Sequence, residues 1–424
     1  MAQPERIVAT LDVGNQRVLA LIGELDDRGV MVIRGVGTAP SAGMRFGQVV
    51  HLKPVVEAVR AAVEEAELMA RLPVERVWAS VAGTFISGRT TRSAITLGTR
   101  EREVTMKDLE ALHDAVRQQP LPPGHMVLNV FTHAYTLDDQ QGILDPQEMV
   151  GRQLALDAYV LACQQTPVRT LEKAINEAGV AVEEFVFAPV AAGQAALTDD
   201  ERRLGAVLVD MGFGNTTYAA FSSDQLLVAG CFPLAGSKFN DDLVHRFQTT
   251  TVGAEKVKRE AGSVMLDEIG AEETLAVPTI DGRSTHVVSR REVCQTMRFR
   301  AEEIFELVLA DISREVSPES PFTGVVLCGG SADTTGLVPL AEQIFVKRAR
   351  MAELEGVVDA TQLLDSSELP SRSPSVAVGL LAHARSQILP DARPVVRVRH
   401  SRGNALSSLF RSIFTKKEVE NDHI

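Results

Sequence analysis

The chain has 424 residues, 45% apolar and 23% charged, which is long enough for two to four subdomains with substantial cores and unlike a disordered composition. Its formal charge of −13 excludes a general affinity for nucleic acid, because a phosphate backbone requires a field of Lys and Arg that is not offset elsewhere. Cys163, Cys231, Cys294 and Cys328 stand far apart with no paired spacing, so a reducing compartment is expected rather than a disulfide framework. The N-terminus enters a strand pattern directly and no run of roughly 18 apolar residues occurs, so the chain is expected to be neither exported nor membrane-spanning.

In chain order, IVATLDVG, RVLALIGEL and VMVIRGVG read as an antiparallel meander starting at residue 6. Val55, Val59, Ala62, Val63, Ala66 and Met69 mark one face of a helix, and VERVWASVAG reads as another strand. From about 85 to 164 the texture changes to short strands around one strong helix, whose start at Thr105 and Asp108 has the spacing of a capping box. The Pro/Gly-rich QQPLPPGH ends that helix, and the segment reads as an inserted subdomain. A helix near 167–178 follows, and LGAVLVDMGFGNTTYAAF then restores the hairpin texture of the N-terminus.

The repeat is informative. Asp12-Val-Gly14 and Asp210-Met-Gly212 each place an acidic residue at a strand end, followed by a Gly-containing turn and a returning strand. One such turn is only a hairpin signal, but two facing each other can clamp a polyphosphate. Glycines let backbone N–H groups approach phosphate oxygens, and each Asp can hold a water of a bound Mg²⁺. A third element, GVVLCGGSADTTGL at 324–337, is an apolar strand ending in Gly329-Gly330-Ser331. Small residues there leave room for a base or sugar, and a helix pattern that follows directly would add a favourable N-terminus; alone, the segment reads as an ordinary strand-to-helix turn.

These three segments, in this order, resemble the two phosphate motifs and the adenosine motif of the actin, Hsp70 and sugar-kinase superfamily. GVGTAPSAGMRFGQVV at 35–50, EEAELMA at 64–70, SVAGTFISG at 80–88, GAEKVKREAG at 253–262 and SVAVGLLAHA at 375–384 narrow the resemblance to the FtsA family of bacterial cell-division proteins. The resemblance implies an α/β, actin-like two-lobed ATPase fold of duplicated RNase H-like domains, with an inserted 1C subdomain and a C-terminal amphipathic helix. Lobe 1A would comprise 1–84, 165–199 and the return at 375–389, with 1C at 85–164. Lobe 2A would comprise 200–236 and 314–374, with 2B at 237–313, a basic linker at 390–403 and a membrane helix at 404–417.

It implies ATP and Mg²⁺ as cofactors. Asp12, Gly14, Asn15 and Arg17 would form the first phosphate turn, and Asp210, Gly212, Gly214 and Asn215 the second, with Asp12 and Asp210 holding the metal through water. Gly236 would support the phosphate side, Glu255 and Lys258 would reach the ribose, and Gly329, Gly330 and Ser331 would border the adenosine; taken alone, Glu255 and Lys258 read as a solvated helix face. Departures stand out: Asn15 and Gln16 replace hydroxyl residues, Phe213 a Gly, Asn215 a Thr, and Thr217 the closing Asp. At Ala188, hydrolysing relatives in the superfamily carry a Glu or Gln that orients water, so binding with little turnover is expected.

After Pro390, Arg393, Arg397, Arg399 and Arg402 crowd a linker that leads into NALSSLFRSIFTKK. Leu406, Leu409, Phe410, Ile413 and Phe414 fall on one helical stripe, with Ser407, Arg411 and Lys416 opposite. Such a stripe ordinarily packs on a core. The basic linker, the two Phe and Lys416-Lys417 favour instead a helix lying in the interface of an anionic bilayer.

The resemblance further implies self-assembly into filaments, docking of later division proteins on 1C, and capture of the C-terminal peptide of the tubulin-like protein FtsZ in 2B. Arg290, Arg291 and Arg300 are candidates, since arginine pairs bidentately with acidic peptides, although a charged helix face is the plain alternative. Three rivals compete. A small-molecule kinase needs a general base that is not visible, and a PilM-type pilus protein is expected to lack the basic tail. An Hsp70-like chaperone needs a long substrate domain. His113, His125 and His133 show no metal-ligand spacing.

Overall fold

The N-terminal alternation folds as anticipated in a computed structural model that describes residues 6–316, 322–354, 358–359 and 374–389. β1 (Ile7–Val13), β2 (Arg17–Leu25) and β3 (Met31–Pro40) form the meander, and β4 (Met44–Arg45) and β5 (Gln48–Val49) make a small hairpin beyond it. α1 (Leu52–Ala70) lays Val55, Val59, Ala62, Val63 and Ala66 onto β3, and β6 (Arg76–Val81) joins β1 in parallel. Met69, expected on the buried stripe, is instead 49% exposed. It lies beyond the stretch where Gly35 and Gly37 let the helix backbone press on the strand, and only its sulfur reaches back, to the Val36 N–H at 3.3 Å.

The insert holds β7 (Ile86–Thr96), β8 (Arg102–Glu103), α2 (Met106–Arg117), β9 (His125–Leu137), β10 (Gln140–Ile143), β11 (Val150–Gly151) and β12 (Gln153–Gln164). α2 begins with the anticipated capping box of Thr105 and Asp108. The strands are not short: β9 has 13 residues and β12 has 12, paired along their length with two register shifts. Those irregularities break the strict alternation from which strand length is read.

α3 (Gln165–Ala178) and β13 (Ala181–Phe187) return the chain to the first sheet, whose order is β13-β6-β1-β2-β3 with β21 (Val358–Asp359) at the far edge. α4 (Ala188–Ala196) and α5 (Asp199–Leu204) lead to a second meander of β14 (Ala206–Met211), β15 (Thr216–Ser222) and β16 (Gln225–Phe232). α6 (Gly236–Phe247), α7 (Thr251–Ala261), the hairpin β17 (Thr274–Pro278) and β18 (Thr285–Ser289), and the 26-residue α8 (Arg290–Glu315) come next. β19 (Gly324–Cys328), α9 (Leu337–Phe345) and β20 (Arg348–Met351) complete a second sheet ordered β16-β15-β14-β19-β20. The helix expected just after Gly330 starts only at Leu337, behind a turn closed by Gly336 at φ +88°. No helix N-terminus therefore abuts Gly329–Ser331.

α4 and α10 (Ser375–Ile388) are buried almost all round and cross each other between the two sheets. They approach so closely that a Cβ on Gly379 would lie 1.8 Å from the Ala191 carbonyl oxygen. The insert meets the second sheet at its edge strand β16. There the Tyr159 hydroxyl accepts from the Ala229 N–H at 3.0 Å, and a His133 ring N–H donates to the Leu226 carbonyl at 2.7 Å. Gly379→Ala is expected to lower the urea midpoint by the equivalent of about 1–3 kcal/mol through overpacking of this crossing; an unchanged midpoint contradicts that account.

Candidate functional site

Two hairpin turns of one design face each other between the sheets. The last ladder pairs are Val13 with Val18 and Met211 with Thr216, so residues 14–17 and 212–215 form equivalent loops. Each closes with the same hydrogen bond: the Gly14 N–H donates to the Arg17 carbonyl at 2.9 Å, and the Gly212 N–H to the Asn215 carbonyl at 3.0 Å. Added Cβ atoms would sit 2.9 and 3.0 Å from those same oxygens, which is why glycine opens both turns. The repeat legible in the sequence is thus a repeat of geometry.

The turns touch across the cleft, where a Cβ on Gly214 would lie 2.7 Å from Cγ of Asn15. A cavity of about 620 Å³ opens beside them, a size suited to a nucleotide. Asp12, Gly14, Asn15, Arg17, Asp210, Gly212, Asn215, Glu255, Lys258, Gly329, Gly330 and Ser331 all line it. Gly236 stands just behind the wall: its N–H donates to the Gly212 carbonyl at 3.1 Å, and a Cβ there would meet the Ser331 hydroxyl at 2.2 Å. Ser331 itself ties the third segment to the second turn, its hydroxyl donating to the Gly212 carbonyl at 2.7 Å and its N–H to the Met211 carbonyl at 2.9 Å.

Electrostatics follow from burial. Burial raises the pKa of Asp12, partly offset by the Ser80 hydroxyl donating to its carboxylate at 2.6 Å and by the charge of Arg17. Asp210 is pushed up to about 7, first by burial and then by the facing charge of Asp12. On α7 the balance is opposite. Burial disfavours the Glu255 carboxylate, yet Lys258 at 2.6 Å, Asn240 at 2.7 Å and Arg259 at 2.6 Å hold its pKa down to about 2. Lys258 also donates to the Gly236 carbonyl at 3.2 Å and lies 5.8 Å from the centre of the Phe213 ring.

Several lining residues escaped the sequence reading. Ser80, at the end of β6, orients Asp12; Gly47, at the tip of the β4–β5 hairpin, and Val376, in the first turn of α10, complete the wall. Each lies in a segment that carries the family resemblance, at 35–50, 80–88 and 375–384, but no role was read from it, and only the topology brings the three together. Ala188 lines the cavity at the N-terminus of α4, where its methyl group offers no polar atom to a water.

The arginines expected to meet a partner lie elsewhere and are engaged within the chain. Arg300 forks onto Asp242 at 2.7 and 2.9 Å and pairs with Glu303. Arg290 pairs with Glu273 at 2.6 Å, and Arg291 donates to the Leu266 and Ile269 carbonyls at 3.3 and 3.4 Å. Beside Arg300, a second cavity of about 650 Å³ exposes the Phe299 ring and Arg246. Leu406, Leu409, Phe410, Ile413 and Phe414, with the basic linker, lie outside the described residues. Among the described residues, no helix is long and apolar enough to cross a membrane.

Comparison with known proteins agrees with this geometry. A family model described as "Cell division protein FtsA" matches residues 207–380, and one described as "SHS2 domain inserted in FTSA" matches residues 83–162. The chain is 31% identical over 423 residues to the cell division protein FtsA of Neisseria meningitidis, covering 97% of this chain and 99% of that one. Among solved structures, the PilM-PilN type IV pilus biogenesis complex has a TM-score of 0.62 at 16% identity, over 90% of this chain and 99% of that one. MreB5 of Spiroplasma citri bound to ADP has a TM-score of 0.54 at 15% identity, over 91% and 99%. The two solved structures establish an actin-like fold and nothing finer. Two Asp-Gly turns meeting over one cavity, an SHS2 insert, and nearly full-length identity to a curated relative together place this chain in the FtsA family of cell-division proteins.

Proposed function

We propose that the chain binds ATP with Mg²⁺ between the two turns, polymerises on the cytoplasmic face of the inner membrane at the division site, and tethers the FtsZ ring there while recruiting later division proteins. The observation that carries the nucleotide reading is the pair of equivalent turns bringing Asp12 and Asp210 to one cavity. The group fits: two buried carboxylates that repel each other call for a divalent cation, and a bound Mg²⁺ would neutralise phosphate charge there while Asp12 and Asp210 hold its waters. Backbone N–H groups of the turns and the N-terminus of α4 suit phosphate oxygens. Gly329 leaves room beside the third segment, since a Cβ there would lie 2.3 Å from Asp210.

In this reading the first sheet belongs to lobe 1A (1–84, 165–199, 375–389), apart from its edge strand β21 (Val358–Asp359), which lies within the span given to 2A, and the insert belongs to 1C (85–164). The second sheet belongs to 2A (200–236, 314–374), and α6 to α8 with their hairpin to 2B (237–313). Exposed Val346 on 2A and Ile280 on the 2B hairpin, 81% and 64% exposed, are candidates for head-to-tail filament contacts. The groove beside Arg300 is the candidate site for the FtsZ C-terminal peptide, with Phe299 and Arg246 offered to it and Arg300 buttressed by Asp242. Later division proteins would dock on 1C.

The tail sets how the assembly holds the bilayer. Burying five large apolar side chains yields roughly 10 kcal/mol, whereas ordering about twelve backbone residues costs on the order of 12 kcal/mol. Basic contacts to anionic lipid add about 1 kcal/mol each. One helix therefore binds weakly and reversibly, and many on one polymer bind tightly through high effective concentration.

Three outcomes test this reading. Phe410→Glu with Phe414→Glu leaves ATP binding intact and abolishes flotation with anionic liposomes; persistent flotation removes the anchor. Purified protein hydrolyses ATP at fewer than roughly one turnover per minute, and sustained faster release that is lost in Asp210→Ala would overturn the weak-turnover expectation. Because the folded-state pKa of Asp210 is raised from 3.8 to about 7, protonated Asp210 contributes stability that is present below 3.8 and lost as pH rises through about 7. The urea midpoint of the nucleotide-free protein, measured against Asp210→Asn, thus falls over that window, and Mg²⁺-nucleotide affinity rises with pH through about 7 and levels above it; pH-independent affinity contradicts this.

A further inference from the structure

The β4–β5 hairpin has no part in the reading above, yet its tip reaches the place where the two turns meet. Phe46 and Gly47 form the tip, both with positive φ, at 49° and 78°. Such a turn favours Asn or Gly at its first central position, so Phe46 is held in a conformation that a bulky side chain avoids. Its ring is flanked by two cations. The Arg45 guanidinium lies 5.3 Å from the ring centre, and the Lys238 ammonium, on α6 of the second lobe, lies 6.0 Å from it. Behind the ring, the Gly47 N–H donates to Oδ1 of Asn15 at 3.1 Å. A Cβ on Gly47 would lie 1.7 Å from the Ala82 carbonyl and 2.9 Å from Nδ2 of Asn215.

Asn215 is the second, independent observation. It is 6% exposed and lines the cavity, yet neither atom of its amide has a hydrogen-bond partner. A buried amide without partners is costly, and the cost is recovered when a ligand supplies them. Its donor side lies beside Gly47, whose N–H in turn meets Asn15, so the unpartnered amide sits where the two turns proposed to hold phosphate meet.

We propose that Asn215 and Asn15 read the terminal phosphate of the bound nucleotide and that the β4–β5 hairpin reports it, by exchanging the Gly47-to-Asn15 hydrogen bond for contacts to phosphate oxygens. The inference rests on the nucleotide reading and adds to it the discrimination of triphosphate from diphosphate. With a terminal phosphate present, the Asn215 amide donates to it and Asn15 turns toward it. The Gly47 N–H is then freed from Asn15, and the tip shifts against Lys238. With a diphosphate, the hydrogen bond across the tip remains, and the strained Phe46 stays clasped between its two cations. The hairpin lies on the first lobe and Lys238 on the second, so the exchange changes how the lobes are fastened together.

The test uses the full chain and titration calorimetry with ATP and ADP in Mg²⁺, alongside hydrogen exchange of residues 41–51. Wild-type protein is expected to prefer ATP. Asn215→Ala is expected to lower the ATP-to-ADP affinity ratio about tenfold, the loss of one charge-assisted hydrogen bond to phosphate. ATP is expected to speed exchange of the Gly47 amide at least about fivefold over ADP in wild type, and not in Asn215→Ala. Phe46→Gly, which relieves the positive φ and removes the cation contacts, serves as a second variant should Asn215→Ala fold poorly; it is expected to speed Gly47 exchange with ADP to the ATP level. An unchanged affinity ratio in Asn215→Ala, or equal Gly47 exchange with ATP and ADP in wild type, overturns the proposal while leaving nucleotide binding intact. Failure of wild-type protein to bind either nucleotide overturns the nucleotide reading itself and this inference with it.

Discussion

Two buried carboxylates brought to one cavity from opposite sheets set the terms for this molecule. Asp12 and Asp210 are each buried near the end of a strand, and the charge of Asp12 helps raise the pKa of Asp210 across the seam where the two turns meet. The fold meets the local cost on both sides: Ser80 donates to one carboxylate and the Cys328 thiol to the other. That leaves a seam whose closure depends on charge, and the proposed binding of a cation together with a polyanion rests on it.

How much of this was legible in the sequence depends on whether a signal was local. The paired turns were legible because the glycines at 14 and 212 are demanded by short-range closure, and an Asp two residues earlier repeats in both. The helix stripe on α1 and the capping box on α2 were legible for the same reason: neighbours in the chain are neighbours in space. What escaped were contacts made by topology. Ser80 reaches Asp12 across 68 residues of chain, and Gly47 reaches Asn15 across 32. The delayed start of α9 was missed because Gly336, at a positive φ, lets the chain run through a turn that composition alone cannot distinguish from the first turn of a helix.

The arginines teach a related lesson. Arg300 is one of three arginines whose type suits an acidic peptide, yet Asp242, 58 residues away, already engages both arms of its fork. A side chain whose donors are spent still shapes a surface, by fixing the helix that presents Phe299 and by setting the field beside it. Charge counted along a sequence overstates what is on offer, because partners distant in the chain are invisible until the fold is known.

The way the insert meets β16 has a consequence for how the chain behaves at high local density. An open sheet edge invites strand exchange with another copy, the route to domain swapping and amorphous aggregates. Here a phenol and an imidazole occupy the hydrogen-bonding positions of Ala229 and Leu226 that an invading strand would need. Copies of this chain at high local concentration are therefore left to associate through shaped surfaces rather than by sharing sheets, an ordering that can be undone without unfolding anything.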